Sequence, residues 1–158
     1  MSHDELDRRI LHALVQDARA SYAEIGAQVG LSAPAVKRRV DKLRAAGAIT
    51  GFSARLSPAE LGWTTEAYVE LFCRGKTSPR DIGLAASKHP EVVSACTVTG
   101  EADALLLIRA ADIRHFEQVV ERIGAEPFVV RTRSSIVLSR LVERSDALPD
   151  LEKRESSG

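Results

Sequence analysis

The stretch SAPAVKRRVDKLRAAG, residues 32–47, carries five basic side chains and one acidic side chain in a chain whose 22 basic and 22 acidic residues balance. Val36, Val40 and Leu43 recur at the spacing of a helix with about 3.6 residues per turn, which places them on one apolar face. Pro34 is compatible with the first turn of such a helix. The stretch therefore predicts an amphipathic helix whose exposed side is positively charged.

Two more helices are predicted before this one. DELDRRILHALVQDAR, residues 4–19, repeats apolar residues at helical spacing, with Asp4 as its N-cap. In SYAEIGAQVGLS, Ser21 and Glu24 have the spacing of a capping box, and Gly30 stands where that helix must stop. Such a helix-turn-helix places its second helix in the major groove of DNA. The other interpretation is a solvated helix face, which explains most runs of charge. The helix spacing and the glycine-limited turn favour DNA binding.

After this helix the sequence period becomes alternating. AITGFSARLSP, residues 48–58, alternates like a short β-ribbon or an extended wing. The remaining segments follow the order β-α-β-β-α-β, the ferredoxin-like arrangement, whose helices cover one face of the sheet. Strand segments such as DALLLIRAA are apolar on both alternations, so we expect the other face to meet a second copy. The predicted fold class is α+β: residues 1–52 a winged-helix-like helix-turn-helix domain, 53–64 a linker, 65–142 a ferredoxin-like βαββαβ domain and 143–158 a polar tail.

Composition excludes several other classes of protein. The longest apolar run, residues 104–108, is too short to cross a membrane, and the N-terminus is acidic where a signal peptide is basic, so we expect a cytoplasmic location. Cys73 and Cys96 lie in apolar segments and are expected to be buried, reduced thiols. The four histidines share no metal-ligand spacing with them. No metal and no cofactor are therefore expected.

A glycine-centred loop in TVTGEADALLLI, residues 97–108, is the candidate ligand site of the second half. A tight turn at Gly100 would expose backbone N–H groups suited to a carboxylate, and Glu101 or Asp103 would suit an ammonium group. An ordinary hairpin turn explains the same residues and is favoured on the residues alone. Thr132 and Ser134 on the last strand are weaker candidates, because alternating polar residues usually face water.

Catalysis has little support in the sequence. Glu101 and Asp103 make a conceivable acid–base pair with His89 or His115, but neither histidine has a neighbouring nucleophile or an evident orienting partner. A phosphate-binding glycine loop is also missing from the sequence. We expect no enzyme; the alternative to a DNA-binding regulator is a stand-alone small-molecule-binding oligomer whose helical half docks protein.

The motifs LD..IL..L..DAR, A.IG..VGLS...V..RV..L...G.I.G and VTGEADALL resemble the leucine-responsive/asparagine-regulator (Lrp/AsnC, feast/famine) family over residues 4–142. The resemblance implies a sequence-specific regulator of transcription that is nucleoid-associated and binds double-stranded DNA. It also implies that a small effector, an amino acid, modulates assembly and DNA affinity, and that the chain self-associates as a dimer and an octamer.

The resemblance also assigns residues. It makes residues 32–47 the recognition helix, and it leaves Arg39 open between a phosphate contact and a structural bond to the helix bundle. Ala102 stands where many relatives have an aromatic residue, and its small size predicts an open pocket for a bulky apolar effector. The implied DNA-binding residues are Ser32, Ala33, Pro34, Ala35, Lys37, Arg38, Arg39 and Lys42. The implied effector-binding residues are Thr99, Gly100, Glu101, Asp103, Thr132 and Ser134.

Overall fold

The computed structural model describes residues 3–143, which divide into two compact units, residues 3–54 and Arg55–Leu141. The helices are α1 (Glu5–Gln16), α2 (Tyr22–Val29), α3 (Ala33–Ala45), α4 (Pro79–Ser87) and α5 (Ile113–Gly124). The strands are β1 (Thr65–Cys73), β2 (Val92–Thr97), β3 (Ala104–Ala110) and β4 (Val129–Ile136), and a short 3-10 helix covers Ala59–Leu61.

The first unit is a bundle of three helices, two of which are capped by side chains at their N-termini. Asp4 caps α1 by accepting a hydrogen bond from the Asp7 N–H, and Ser21 caps α2 with the predicted reciprocal bonds to Glu24. The apolar stripes of the three helices meet in one core, and its fully buried members each contribute about 1.5–3 kcal/mol by leaving water. These fully buried aliphatic residues are Ile10, Ile25, Val36, Val40 and Leu43.

The second unit is a four-stranded antiparallel sheet in the order β2-β3-β1-β4, with α4 and α5 packed on one face. Side chains on β3 alternate strictly, so that Ala104, Leu106 and Ile108 are buried under the helices while Leu105 and Leu107 point to the other face. This is the predicted βαββαβ arrangement, and the α+β prediction is confirmed.

Two strand predictions are not met in full. Of the two alternatives for residues 48–58, the β-ribbon is absent, because residues 48–57 pair with no other described segment, and Phe52 and Leu56 stay exposed. The last strand ends at Ile136 and does not reach residue 142, because Val137 makes the final hydrogen bond to β1 and the leucines beyond it are exposed. Apolar alternation predicts an extended chain, but only a neighbouring strand makes it part of a sheet.

The predicted burial of both cysteines is also wrong. Cys96 is exposed and Cys73 is half-buried, since β2 is an edge strand and Cys73 ends β1 at an irregular pair with β4. Burial and the charge of Asp103 raise the pKa of the Cys73 thiol. The predicted domain boundaries remain a prediction, and nearly all of the predicted tail, residues 144–158, lies outside the described residues.

Candidate DNA-binding and effector-binding sites

The turn between α2 and α3 is held by two glycines. Gly30 ends α2 with a left-handed φ of 74°, which glycine adopts at little cost. Gly26 accepts a hydrogen bond from the Leu31 N–H at 2.9 Å, and a Cβ at Gly26 would lie 2.3 Å from the Leu31 carbonyl oxygen. The role of Gly26 was not predicted from the sequence, because it lies inside a helical pattern and its constraint comes from the turn that follows.

The first turn of α3 presents small side chains. Ser32 is the N-cap of α3, although its side chain makes no capping bond, and Ser32 and Pro34 are exposed. Ala33 and Ala35 are half-buried. The structure therefore places these four predicted residues together at the N-terminal end of α3, and their own side chains are small.

The cations of α3 fall into two classes. Lys37 pairs with Asp41 one turn later, at 2.6 Å between Nζ and Oδ2, and this hydrogen bond raises the pKa of Lys37. Arg38, Lys42 and Arg44 are exposed and make no ion pair with any described residue. A hollow beside α3 is lined by Asp4, Leu31, Ala35, Arg38, Arg39 and Lys42. Three of its six lining residues are cations, so this surface is suited to an anion.

Arg39 belongs to the helix bundle. Its Nη1 donates to Asp4 Oδ2 and to Asp7 Oδ1, both at 2.7 Å. The hydrogen bond from Arg39 lowers the pKa of Asp4, and the two carboxylates raise the pKa of Arg39. Of the two alternatives that the sequence left open for Arg39, the structure contains the structural bond.

The glycine-centred loop joins β2 to β3 and is tied to β1. Gly100 has a φ of 120°, which few residues other than glycine adopt. The Asp103 carboxylate accepts a hydrogen bond from the Cys73 N–H at 2.6 Å, and the Asp103 N–H donates to the Leu71 carbonyl at 2.9 Å. Asp103 is therefore held by the strand, with further lone pairs on its carboxylate.

The other predicted effector residues are only partly brought to this loop. Thr132 pairs with Leu71 on the side of β1 opposite Asp103, so the two lie about 9–10 Å apart, two strand spacings. Ser134 pairs with Val69, farther from the loop. Leu71 and Val69 are buried under the helices, so Thr132 and Ser134 point to that same face.

The loop carries exposed polar groups and one buried alanine. Glu101 and Thr99 are exposed. The pKa of Arg133 is raised by its hydrogen bond to Glu70 and by the charge of Glu70, with a smaller contribution from the charge of Glu101. Ala102 is only 7% exposed, so its side chain is buried, and the open pocket beside it stays a prediction.

The sheet face that α4 and α5 leave open combines apolar residues with paired charges. Tyr68, Phe72, Leu105 and Leu107 lie on it, and the Arg131 guanidinium stacks 3.6 Å from the Phe72 ring centre. The ion pairs on this face are Glu66 with Arg109 and Arg140, and Glu70 with Arg133, whose Nη2 lies 2.9 Å from Oε1. These charges are already neutralised by neighbours in the same unit.

The buried carboxylate of Glu91 was not predicted from the sequence. Its Oε1 accepts hydrogen bonds from Arg122 at 2.7 Å and from His115 Nε2 at 2.9 Å. Burial raises the pKa of Glu91, but these bonds together with one from the backbone outweigh it and lower the pKa to about 2. His115 thus has the orienting partner that the sequence did not reveal, and its Nδ1 accepts from the Ala111 N–H. Both ring nitrogens of His115 are therefore engaged in structural hydrogen bonds.

Metal-binding clusters and membrane-spanning helices are both absent from the described part of the chain. Between residues 3 and 143, no group of three or more His, Cys, Asp or Glu side chains is arranged to hold a metal ion. No helix in that range is long and apolar enough to span a bilayer.

Comparison with known proteins matches both units. A family model described as the AsnC-type helix-turn-helix domain matches residues 4–44, and one described as the Lrp/AsnC ligand binding domain matches residues 66–147. The HTH-type transcriptional regulator Rv2324 of Mycobacterium tuberculosis (strain ATCC 25618 / H37Rv) is 50% identical over 141 residues, which cover 89% of this chain and 95% of that protein.

Solved structures agree with these matches. The feast or famine regulatory protein Rv3291c from M. tuberculosis, complexed with L-methionine, superposes with a TM-score of 0.87 at 33% identity and covers 94% of this chain and 100% of its own. The transcriptional regulator NMB0573 from Neisseria meningitidis, in complex with L-Met, has a TM-score of 0.85 at 28% identity, with 91% and 95% covered. With a DNA-binding helix-turn-helix unit and a ligand-binding unit, this chain is a transcriptional regulator that belongs to the Lrp/AsnC family.

Proposed function

We propose that the protein binds double-stranded DNA sequence-specifically through α3, and that an amino-acid effector modulates its assembly and its DNA affinity. The proposal is carried by one observation: in the unit that matches the helix-turn-helix family model, α3 presents Arg38, Lys42 and Arg44 exposed and without ion pairs among the described residues. Exposed cations on such a helix supply both phosphate attraction and base contacts.

The first turn of α3 faces the base edges in this proposal. The small residues Ser32 to Ala35 allow close approach, Arg38 reads a base, and Lys42 contacts a phosphate. Lys37 contributes as well, because an exposed ion pair such as the one with Asp41 adds little to stability and is easily exchanged for a contact to DNA.

The effector site lies at the glycine-centred loop. Backbone N–H groups at Thr99 and Gly100 take the carboxylate of the amino acid, and Glu101 and Asp103 take its ammonium group. Thr132 and Ser134 are secondary contacts. Two relatives of known structure, Rv3291c and NMB0573, were solved with L-methionine, which supports an amino acid here and makes L-methionine the first probe.

Self-association uses the open face of the sheet. Its partly exposed apolar residues Tyr68, Leu105 and Leu107 gain by leaving water, while the ion pairs beside them need no new partner when the face is covered. A dimer through this face is the basic unit of the proposal, and an octamer is its larger form. We propose domain boundaries that match these functions: a DNA-binding domain at 1–52, a linker at 53–64, a ligand-binding and oligomerisation domain at 65–142 and a tail at 143–158.

The remaining expectations follow from the DNA partner. A DNA-binding regulator acts where the chromosome lies, so we propose a cytoplasmic, nucleoid-associated location. We propose no catalytic activity and no cofactor. The relatives are transcriptional regulators, and His115, whose nitrogens are both hydrogen-bonded, offers no available base.

A salt titration tests this function. A DNA site selected by the protein from a random pool is bound at several salt concentrations, with and without L-methionine. We expect the logarithm of the affinity to fall steeply with the logarithm of the salt concentration, by about 0.9 per phosphate contact. A flat response would instead favour a small-molecule-binding oligomer whose helical unit docks protein.

A further inference from the structure

We infer that Arg39 is a positioning residue that fixes the angle of α3 against α1, and that it does not contact DNA. This inference rests on the proposed use of α3 as the DNA-reading helix. It separates Arg39 from the other cations of α3, with which the sequence had grouped it.

The position of Arg39 on α3 explains its reach. Arg39 lies three residues after Val36 and four before Leu43, so it borders the buried stripe of the helix. Its side chain, 29% exposed, lies along the boundary with α1, and Nη1 donates to Asp4 and Asp7 at 2.7 Å each. One nitrogen therefore joins the middle of α3 to the first turn of α1.

Asp4 also has a role within α1 itself. Asp4 is the N-cap of that helix and accepts from the Asp7 N–H at 2.7 Å through Oδ1, while its Oδ2 takes Arg39. The same carboxylate thus starts one helix and anchors the other. A shift of α3 along α1 would break the bond to Arg39 or the cap.

Burial decides between the two uses of the arginine. The Asp7 side chain is only 7% exposed, and within residues 3–143 Arg39 is the cation that pairs with it. An uncompensated buried carboxylate is strongly unfavourable. If Arg39 bound a DNA phosphate and released Asp7, the Asp7 carboxylate would be buried without a compensating cation. DNA therefore competes poorly for Arg39, whereas Arg38 and Lys42 have no such tie.

The angle of α3 matters because base readout depends on geometry and phosphate attraction does not. Side chains at the start of the helix must meet base edges at hydrogen-bond distance, while contacts to phosphates are shared by all sequences. A loosened α3 should lose discrimination between sequences more than it loses affinity for DNA in general.

The decisive variant is Asp7→Asn in the full chain. It removes a negative charge, so electrostatics alone predicts tighter binding to all DNA. Positioning predicts that the ratio of affinities for the selected site and for random duplex falls about tenfold. The matched control is Glu5→Gln, which removes an acid from the same turn of α1 that pairs only with Arg8, at 3.5 Å among the described contacts. We expect that control to leave the ratio unchanged.

Arg39 itself is tested by charge and by length. Arg39→Lys keeps the charge but is one bond shorter, and it should lower the ratio while leaving the salt slope unchanged. Arg39→Gln should also leave the slope unchanged, whereas Arg38→Ala and Lys42→Ala should each reduce a phosphate-type slope by up to about one. Circular dichroism and thermal unfolding establish whether each variant is folded at the assay temperature. If Arg39→Gln does not fold, the comparison of Asp7→Asn with Glu5→Gln still tests the inference.

Two results would overturn the inference. One is an Asp7→Asn ratio equal to that of Glu5→Gln. The other is a salt slope reduced by about one in Arg39→Gln with equal losses on both DNAs, which would make Arg39 a phosphate contact. If Arg38→Ala and Lys42→Ala both left DNA binding unchanged, the proposed function of α3 in DNA binding would be wrong, independently of the role of Arg39.

Discussion

At the scale of residues, fewer basic side chains of α3 are available to DNA than its sequence contains. Lys37 shares its charge with Asp41, and Arg39 is held by two carboxylates. Arg38, Lys42 and Arg44, which are exposed and unpaired among the described residues, are the cations that we propose meet DNA first. Variants of these residues should therefore differ in effect although all remove one positive charge.

Replacement of Arg38 by alanine should weaken binding to the selected DNA site by about 1–3 kcal/mol, because a base-reading contact is lost. Lys37→Ala should have a smaller effect, since it also frees Asp41. Fluorescence anisotropy on the selected site and on random duplex measures both. Arg80→Ala, at an exposed position of α4, controls for the change in net charge. Equal effects of Arg38→Ala and Arg80→Ala would show that the helix is oriented differently.

Glu91 predicts a pH dependence of stability. Its pKa is lowered to about 2 in the folded protein, from an ordinary value of 4.5, so its contribution is complete above pH 4.5 and is lost as the pH falls toward 2. A shift of this size corresponds to up to about 3 kcal/mol. Glu91→Gln should therefore lower the free energy of unfolding at pH 6 and flatten its decline between pH 4.5 and 2.

Chemical denaturation across that pH range provides the measurement. The control is Glu117→Gln on the exposed side of α5, a residue with no ion pair among those described. If the profile of Glu91→Gln paralleled that of the wild type, the carboxylate would not be the group that titrates.

At the scale of elements, the turn between α2 and α3 sets the geometry of the DNA-reading helix. Gly30 supplies the left-handed residue, and Gly26 supplies the room for the Leu31 carbonyl. The two requirements are different in kind, since one concerns backbone dihedral angles and the other concerns a steric contact.

Gly26→Ala should destabilise the first unit by about 1–3 kcal/mol, because its Cβ would lie 2.3 Å from a backbone oxygen and the turn must shift. Gly83→Ala in α4 is the matched control. There nothing lies within 4 Å of the methyl group that alanine would add, and alanine should stabilise the helix by about 0.5–1 kcal/mol. Thermal unfolding measures both, and destabilisation of the same size in the two variants would contradict the steric explanation.

Local signals in the sequence predicted most of the fold. Each of these signals involves residues only a few positions apart in the sequence. They are the cap at Asp4, the capping box from Ser21 to Glu24 and the alternation of side chains in β3. What the sequence did not predict depends on distant partners. Arg39 meets Asp7 across 32 positions of the chain, and Glu91 meets Arg122 across 31.

The same distinction applies to the candidate sites. Exposure of Arg38 followed from helical spacing, whereas the bond from Cys73 to Asp103 arises from strand pairing that no local pattern reveals. Ala102 shows the limit most clearly, because residue size alone did not reveal that tertiary packing buries its side chain.

At the scale of the whole molecule, the proposed assembly uses a sheet face whose ion pairs form within one chain. Leu107 lies on this face, between the polar pairs. Its replacement by lysine would bring like charges together at a symmetric contact and desolvate them.

Leu107→Lys should therefore shift the protein toward the monomer in sedimentation experiments and weaken binding to a two-half-site DNA. Leu84→Lys is the matched control, because Leu84 is 56% exposed on α4 and lies away from this face. A wild-type oligomeric state in Leu107→Lys would place the contact elsewhere.

Asp103→Asn should abolish the response of DNA binding to L-methionine, a response that for coupled sites of this kind corresponds to about 1–3 kcal/mol. DNA binding without effector should stay within about twofold of the wild type. Asparagine keeps an acceptor for the Cys73 N–H but loses the charge that an ammonium group requires. Thermal shift and DNA binding with and without L-methionine report the result. An unchanged response would show that the loop is only a turn.

The bond between the Cys73 N–H and the Asp103 carboxylate turns one backbone amide into a built-in spectroscopic probe. At 2.6 Å this amide donates a hydrogen bond to the carboxylate that we propose meets an ammonium group, so any redistribution of the carboxylate charge changes the shielding at that nitrogen and its hydrogen. In a ¹⁵N correlation spectrum the Cys73 cross-peak would then move with loop occupancy. The ligand state of the regulator becomes readable without DNA, without a dye and without waiting for the assembly to change.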